Sequence, residues 1–132
     1  MRFPMVDTDA ALDPTAVAGG IEVHPEYVPG RTGERRAVVR LWGEIDHTLR
    51  PDASEAMMAL LGHDGPVVAD LSALTFIDSA GLAFLLQLQR WCADGGHRLV
   101  LADPPVLLLD LLDAVGASDA VDLEFRPGAL AD

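Results

Sequence analysis

The 132-residue sequence predicts one α/β domain, in which a mixed sheet of four to five strands packs against helices. Short apolar runs with a period of two alternate with stretches of helical period, in the order β-β-α-β-α-β-α-β. Strands separated by helices need crossover connections, and these place the strands parallel in one sheet. Half of the residues are hydrophobic, which is enough to build a core at this length.

The first predicted unit is a β-hairpin. Apolar residues at alternate or near-alternate positions between Ile21 and Tyr27 indicate a strand. Pro25 confines this strand to a sheet edge, because proline lacks the N–H group that a central strand donates. Residues 29–33 supply proline and glycine for a turn, and residues 37–42 form the returning strand.

The remaining elements follow from local start and stop signals. They are a helix over 53–61, a buried strand from Pro66 to Ile77, a helix over 80–93 stopped by Gly95 and Gly96, a strand over 98–102, a helix over 106–115 closed by Gly116, and a final edge strand over 121–125. The domain is therefore predicted to span residues 21–126. Residues 1–20 show no clear period and are interpreted as a flexible N-terminal arm, and residues 127–132 as a C-terminal tail.

The helix over 80–93 is apolar over roughly 220° of its circumference. Two interpretations fit this width. The favoured one is burial between the sheet and a neighbouring helix. The other is that Phe84, Leu88 or Trp91 contributes an apolar patch to a partner interface.

The sequence is strongly acidic, with 21 Asp and Glu residues against 9 basic ones and a formal net charge of −12. This charge repels a phosphate backbone and an anionic lipid surface, so neither nucleic acid nor a membrane is an expected direct partner. Cys92 is the only cysteine, which excludes an intrachain disulfide and favours a reducing, cytoplasmic location. No apolar run is long enough to span a bilayer, and residues 1–20 lack the pattern of a secretion signal.

Catalytic and metal-binding patterns are poorly represented. Ser79 has glycine on only one side, so it does not match the nucleophile elbow of a hydrolase. The four histidines are dispersed and none is paired at the i,i+4 spacing of a metal site. The glycine pairs lack the lysine of a phosphate-binding loop. The sequence therefore predicts no catalytic residue, no metal site and no cofactor.

A basic cluster lies on or beside the first hairpin and consists of Arg31, Arg35, Arg36 and Arg40. A charge run of this size is usually a solvated face. Binding of an anionic ligand and pairing with the acidic C-terminal region are the alternatives, and no site is assigned.

The most informative segment runs from Asp70 to Leu82, where an apolar strand delivers Asp78 and Ser79 to the start of a helix. Asp and Ser are favoured N-caps, because their oxygens accept hydrogen bonds from the free N–H groups of the first turn. A purely structural cap is therefore one interpretation. The other is that the Ser79 hydroxyl is exposed in the positive field of the helix N-terminus, where a phosphate is tolerated.

This segment resembles the signature of the STAS domain, the module shared by anti-sigma factor antagonists and the cytoplasmic tails of sulfate transporters. Further similarity lies in the loop Gly43 to His47, in the leucines after Gly81, and in the late helix around Leu109 and its stop at Gly116. The resemblance covers about residues 37–116. Because no transmembrane helices precede this segment, the free-standing antagonist is the closer match.

The resemblance implies a partner switch. Ser79 matches the family's phosphorylation site, and the implied partner is an anti-sigma factor with serine kinase activity. The unmodified protein binds this kinase, phosphorylation of Ser79 releases it, and a phosphatase restores the serine. Contact with the partner is expected from Asp46, Asp78, Ser79, Ala80, Gly81 and Leu82.

The protein is thus expected to act in transcription regulation in a bacterial cytoplasm, as a phosphoacceptor and not as an enzyme. Many family members carry a second hydroxyl residue after the serine, and here it is Ala80, which leaves Ser79 as the sole candidate acceptor. The alternative is a STAS module that serves as a scaffold or ligand-sensing domain, in which Ser79 is only a helix cap.

Overall fold

Residues 18–27 and 35–126 are described by the computed structural model of the chain. Their elements, in order, are β1 (Gly19–Tyr27), β2 (Arg35–Ile45), α1 (Arg50–Ala59), β3 (Val67–Asp70), β4 (Leu74–Ile77), α2 (Ser79–Asp94), β5 (Leu99–Ala102), α3 (Val106–Ala114) and β6 (Val121–Glu124). Two 3-10 turns, His47–Leu49 and Ser118–Ala120, precede α1 and β6. The predicted hairpin turn over 29–33 and the tail over 127–132 lie outside the described residues.

The described strands form one mixed sheet in the order β1-β2-β3-β5-β6, with β4 also paired to β2. β1 is antiparallel to β2, and the other pairs are parallel. β2 is 11 residues long, so its first half pairs with β3 and its last residues pair with β4. The α/β class, the first hairpin and the edge positions of β1 and β6 are confirmed.

The three helices lie on one face of the sheet. The crossovers through α1, α2 and α3 all advance in the same direction across the strands, and such crossovers are right-handed. The burial pattern of β2 agrees, because Ala37, Val39 and Leu41 are buried while the side chains between them are only half-buried. Leu85 and Leu88 of α2 complete this core, which makes it a layer between the sheet and the helices.

The predicted strand from Pro66 to Ile77 is two strands, so the sheet has six where four to five were expected. The Asp70 carboxylate accepts hydrogen bonds from the Ser72 N–H at 3.1 Å and the Ser72 hydroxyl at 2.8 Å. The Leu74 N–H then donates to the Leu71 carbonyl at 3.1 Å. These local hydrogen bonds turn the backbone out of the strand conformation between β3 and β4. Asp and Ser side chains often compete with sheet pairing in this way, because they form hydrogen bonds to nearby backbone groups.

The N-terminal boundary of the domain differs from the prediction. Gly19 and Gly20, which were expected in the flexible arm, are the first residues of β1 and pair with Gly43 and Trp42 of β2. Two adjacent glycines carry no side-chain pattern, so periodicity could not detect this pairing. The rest of the predicted arm, residues 1–17, lies outside the described residues.

The broad apolar surface of α2 is explained by burial. Leu88 is fully buried and Phe84 is 5% exposed, and Trp91 is half-buried against the same core. The interpretation of this surface as a partner patch is therefore wrong for Leu88, which is fully buried, and Phe84 exposes too little surface to form such a patch.

A cluster of one arginine and two aspartates joins the C-terminal end of the described chain to the sheet. Arg126 donates to Asp70 at 2.7 Å and to Asp103 at 2.6 Å, and its backbone N–H donates to Asp103 at 2.9 Å. The hydrogen bonds from Arg126 hold the pKa of Asp103 below its usual value. Partial burial opposes ionisation of Asp70, but hydrogen bonds from Ser72 and Arg126 outweigh it and lower the net pKa.

The Arg126 cluster predicts acid sensitivity. A carboxyl group whose pKa is lowered by folding contributes stability above its unfolded-state pKa near 3.8, and this stability is lost as the pH falls through the folded-state value. The free energy of unfolding should therefore fall below about pH 4. We expect Arg126→Gln to reduce the slope of the free energy of unfolding against pH. The reduction corresponds to at most about two protons taken up on unfolding, one for each carboxyl group.

Urea titrations between pH 2 and pH 7 measure this slope. Arg98→Gln is the matched control, because it removes an arginine–aspartate pair whose two side chains are more than half exposed. Equal acid slopes for the wild type and Arg126→Gln would show that the cluster does not stabilise the fold through these carboxylates.

Candidate functional site

The parallel pairing of β2 and β4 brings Asp46 and Asp78 side by side. Ile45 is the register partner of Ile77, and each aspartate directly follows one of these two residues. The Asp78 N–H donates to the Ile45 carbonyl at 3.1 Å, which ties the two strand ends together. The carboxyl ends of parallel strands meet at one edge of a sheet, and this edge carries the predicted site.

A β-bulge sets the register of this pair. Gly43 pairs with Leu74, whereas Glu44 pairs with Phe76, so Thr75 is the extra residue. Without the bulge, Asp46 would lie level with Ile77 instead of Asp78. Gly43 has a φ of +70°, a conformation that glycine adopts at little cost, and its N–H donates to the Ala73 carbonyl at 2.9 Å.

Asp78 is the N-cap of α2. Its carboxylate accepts hydrogen bonds from the Ala80 N–H at 2.9 Å and the Gly81 N–H at 3.1 Å, and its carbonyl accepts from the Leu82 N–H at 2.9 Å. The capping function is therefore performed by Asp78 and not by Ser79. The interpretation of Ser79 as the structural cap is wrong, because Ser79 is the first helical residue.

The Ser79 side chain is exposed, and its hydroxyl makes no hydrogen bond within the described residues. A hydroxyl in this position is accessible to another protein. Asp78 already occupies two N–H groups of the first turn, so a group attached to Ser79 would not take over the cap.

Asp46 caps the 3-10 turn that follows β2. Its carboxylate accepts from the Thr48 hydroxyl and from the Thr48 N–H, the latter at 3.0 Å. These hydrogen bonds, the one from the hydroxyl first, lower the pKa of Asp46. Asp46 is therefore ionised at neutral pH, and its orientation is fixed by the turn.

Gly81 and Leu82 lie beneath the surface of the site. A Cβ on Gly81 would meet Ile77 Cγ1 at 2.5 Å and Ile45 Cγ2 at 2.9 Å, so only glycine allows α2 to approach the ends of β2 and β4 this closely. Leu82 is 7% exposed and belongs to the core. The partner contact predicted for these two residues does not fit the structure, because both are buried; Asp46, Asp78, Ser79 and Ala80 lie at the surface or close to it.

A groove between α1 and α2 reaches the site, and the sequence reasoning missed it. It is lined from α1 by Arg50, Ala53 and Met57 and from α2 by Ala80, Ala83 and Phe84. A smaller cavity at this end of the helices is lined by Asp46, Arg50 and Ala80 among others. The sequence signal for this groove is Arg50, which lies directly before a proline at a helix start. A cation is unfavourable there, because the helix N-terminus carries a partial positive charge.

The edge around Ser79 is acidic. Asp70 and Asp103, farther along the same edge, are paired with Arg126, whereas Asp46 and Asp78 form no ion pair within the described residues. No group of three or more His, Cys, Asp or Glu residues in the described ranges is arranged to hold a metal ion. Within the described residues, the edge around Ser79 therefore presents an exposed hydroxyl between two carboxylates that form no ion pair.

Comparison with known proteins places the chain in a family. A family model described as "Mlab, STAS domain" matches residues 31–124, which is more than half of the chain. Solute carrier family 26 member 10 of the mouse, Mus musculus, is 34% identical over 80 residues. The match covers 61% of this chain and 11% of the carrier, so the chain spans about a tenth of that relative's length. None of the helices within the described ranges has the length and apolar character needed to cross a membrane.

Two similar solved structures are forms of the anti-sigma factor antagonist SpoIIAA. The unphosphorylated form aligns with a TM-score of 0.60 at 21% identity, covering 83% of this chain and 92% of that one. The phosphorylated form, a Bacillus cell fate determinant, aligns with a TM-score of 0.56 at 24% identity, covering 83% and 96%. At these identities the likeness concerns the fold. The chain belongs to the STAS domain family and has the fold of an anti-sigma factor antagonist.

Proposed function

We propose that this protein is a bacterial, cytoplasmic anti-sigma factor antagonist that works by partner switching. In the unmodified state it binds an anti-sigma factor with serine kinase activity, through the surface formed by Asp46, Asp78, Ser79 and Ala80. The observation that carries the proposal is the exposed Ser79 hydroxyl, which the capping by Asp78 leaves available. The fold shared with SpoIIAA in both of its forms supports the same assignment.

The modification is transfer of the γ-phosphoryl group of ATP to Ser79. A bond forms between Ser79 Oγ and the γ-phosphorus, the bond from that phosphorus to the β,γ-bridging oxygen breaks, and ADP leaves. The hydroxyl proton passes to a base on the kinase. The protein is the acceptor of the phosphoryl group, and a phosphatase returns the serine by hydrolysis.

The physical effect of the phosphate is on binding. A phosphoserine adds about −1.5 to −2 charges at neutral pH. At Ser79 these charges join the carboxylates of Asp46 and Asp78, and a partner surface that accommodates two negative groups then faces a third. Like charges brought together at an interface cost several kcal/mol. The fold should persist, because the hydrogen bonds that cap α2 come from Asp78 and are unchanged.

The first test uses two substitutions of the acceptor. We expect Ser79→Ala to bind the kinase as the wild type does but to accept no phosphate from ATP. Ser79→Asp should bind at least about tenfold more weakly, which corresponds to about 1.4 kcal/mol. A pull-down with unmodified protein identifies the kinase. Calorimetry then measures the binding of each variant to it, and a radiolabelled phosphate assay measures the transfer of phosphate from ATP.

The control for added charge is Ser118→Asp, because Ser118 is exposed in the 3-10 turn before β6, at the opposite edge of the sheet. This variant should bind like the wild type. Phosphate incorporation into Ser79→Ala, or equal weakening by the two aspartates, would contradict the proposal.

A second function is favoured by the similarity to the solute carrier. In this alternative the STAS domain is a scaffold or ligand-sensing module. Intact-mass analysis of protein isolated from its native cell separates the two. A single phosphate on Ser79 supports the partner switch, and its absence under all growth conditions supports the scaffold.

A further inference from the structure

One cation lines the groove that reaches Ala80, the residue directly after the proposed phosphorylation site. Arg50, the first residue of α1, lines the α1–α2 groove together with Ala80, and the same two residues line the smaller cavity beside Asp46. Ala80 directly follows Ser79 in α2. We infer that Arg50 binds the phosphate group on Ser79, an inference that rests on the proposed function and names the recognition group of its modified state.

The other arginines in the described ranges are not placed for this role. Arg126 and Arg98 are engaged with aspartates. The arginines of β2 lie in its first half, which pairs with β3 and not with β4. Arg90 lies in α2, eleven residues beyond Ser79, which is about 16 Å along the helix axis. Arg50 forms no ion pair within the described residues, so its guanidinium is available.

The position of Arg50 is not explained by the stability of α1. The N-terminus of a helix carries a partial positive charge, and a cation there is unfavourable. Asp52, in the same turn, is the residue type that this end of a helix prefers. An arginine at this position is consistent with recognition of a group outside α1.

The chemistry of the pair is complementary. A guanidinium presents parallel N–H donors that match two oxygens of a phosphate. Asp46 and Asp78 repel a phosphate on Ser79, whereas Arg50, which lines the groove together with Ala80, attracts it toward the groove. Phosphorylation would then connect the start of α1 to the start of α2 across the groove and present the partner with an ordered charge.

The test needs no kinase. Phosphoserine is incorporated at position 79 during translation, and the phosphorus-31 signal is titrated with pH in the full chain. The second pKa of a phosphoserine is ordinarily about 6. The positive charge of Arg50 favours the ionised phosphate and so lowers this pKa. We expect its removal in Arg50→Gln to raise the pKa by about half a unit or more. Arg50→Lys should restore part of the difference.

Two controls make the shift specific. Arg90→Gln removes the same charge about three turns away and should leave the phosphorus titration unchanged. His47, in the neighbouring 3-10 turn, is the other group that can become positive there, so every protein is also measured with His47→Gln. An unchanged titration in Arg50→Gln, or a shift of equal size in Arg90→Gln, overturns the inference.

The outcome is distinguishable from the fate of the proposed function. If native cells never phosphorylate Ser79, the partner switch fails, yet a phosphorus shift that depends on Arg50 still supports phosphate recognition at this groove. If Ser79 is phosphorylated in cells but Arg50→Gln has no effect on the titration, the inference alone is overturned.

Discussion

Phe84→Ala is expected to lower the free energy of unfolding by about 3–5 kcal/mol. The Phe84 side chain is 5% exposed and packs in the core, where it also lines the bottom of the α1–α2 groove. Removal of the ring deletes its buried contacts and leaves a cavity that the rigid sheet cannot fill. Urea denaturation followed by circular dichroism measures the change as a shift in midpoint with an unchanged slope.

Phe76→Ala is the matched control, because it removes the same atoms from a side chain that is 47% exposed. We expect this variant to lose less than about 1.5 kcal/mol, since half of the ring is already in water. Equal losses in the two variants would contradict the placement of Phe84 in the core. A Phe84→Ala protein of full stability that fails to bind its partner would restore the interface interpretation of α2.

Gly43→Ala should cost about 2–3 kcal/mol, from two separate causes. The φ of Gly43 is +70°, where an alanine is strained by about 1–2 kcal/mol. In addition, its Cβ would lie only 2.2 Å from the Ala18 carbonyl oxygen, which accepts the Glu44 N–H at 2.9 Å. The backbone must shift to relieve this contact, and the hydrogen bond is weakened, a loss of about 0.5–1.5 kcal/mol.

Gly96→Ala separates the two causes. Gly96 has a φ of +83°, but nothing lies within 4 Å of the Cβ that the substitution adds. This variant should therefore show only the conformational cost of about 1–2 kcal/mol. If Gly43→Ala and Gly96→Ala are equally destabilised in thermal and urea unfolding, the close approach of Ala18 to β2 has no energetic weight.

Helices with strong local signals were predicted closely. The helix expected over 80–93 is Ser79–Asp94, because Asp78 starts it and Gly95 and Gly96 end it. α1 begins at Arg50, three residues before the predicted start. Pro51 in its first turn is a helix-start signal that the apolar pattern of the segment did not include.

Features that depend on distant residues could not be predicted. Arg126 reaches Asp70 across 56 positions of sequence, and no local pattern links the two. Asp103 adopts a φ of +53°, and that conformation is supported by hydrogen bonds to Arg126. For the candidate site, the family resemblance identified the loop of Asp46 and the helix start at Asp78. Their juxtaposition depends on the bulge at Thr75, which only the strand register reveals.

The long strand β2 restricts how the length of this chain can change. It pairs with β1, β3 and β4, so its register determines how these three strands align with one another and where Asp46 lies. A one-residue insertion or deletion between Arg40 and Ile45 would turn Asp46 to the opposite face and move it out of line with Asp78. The register of β2 therefore fixes the number of residues in this segment. In related sequences that keep this site, gaps should therefore fall in the loops outside β2.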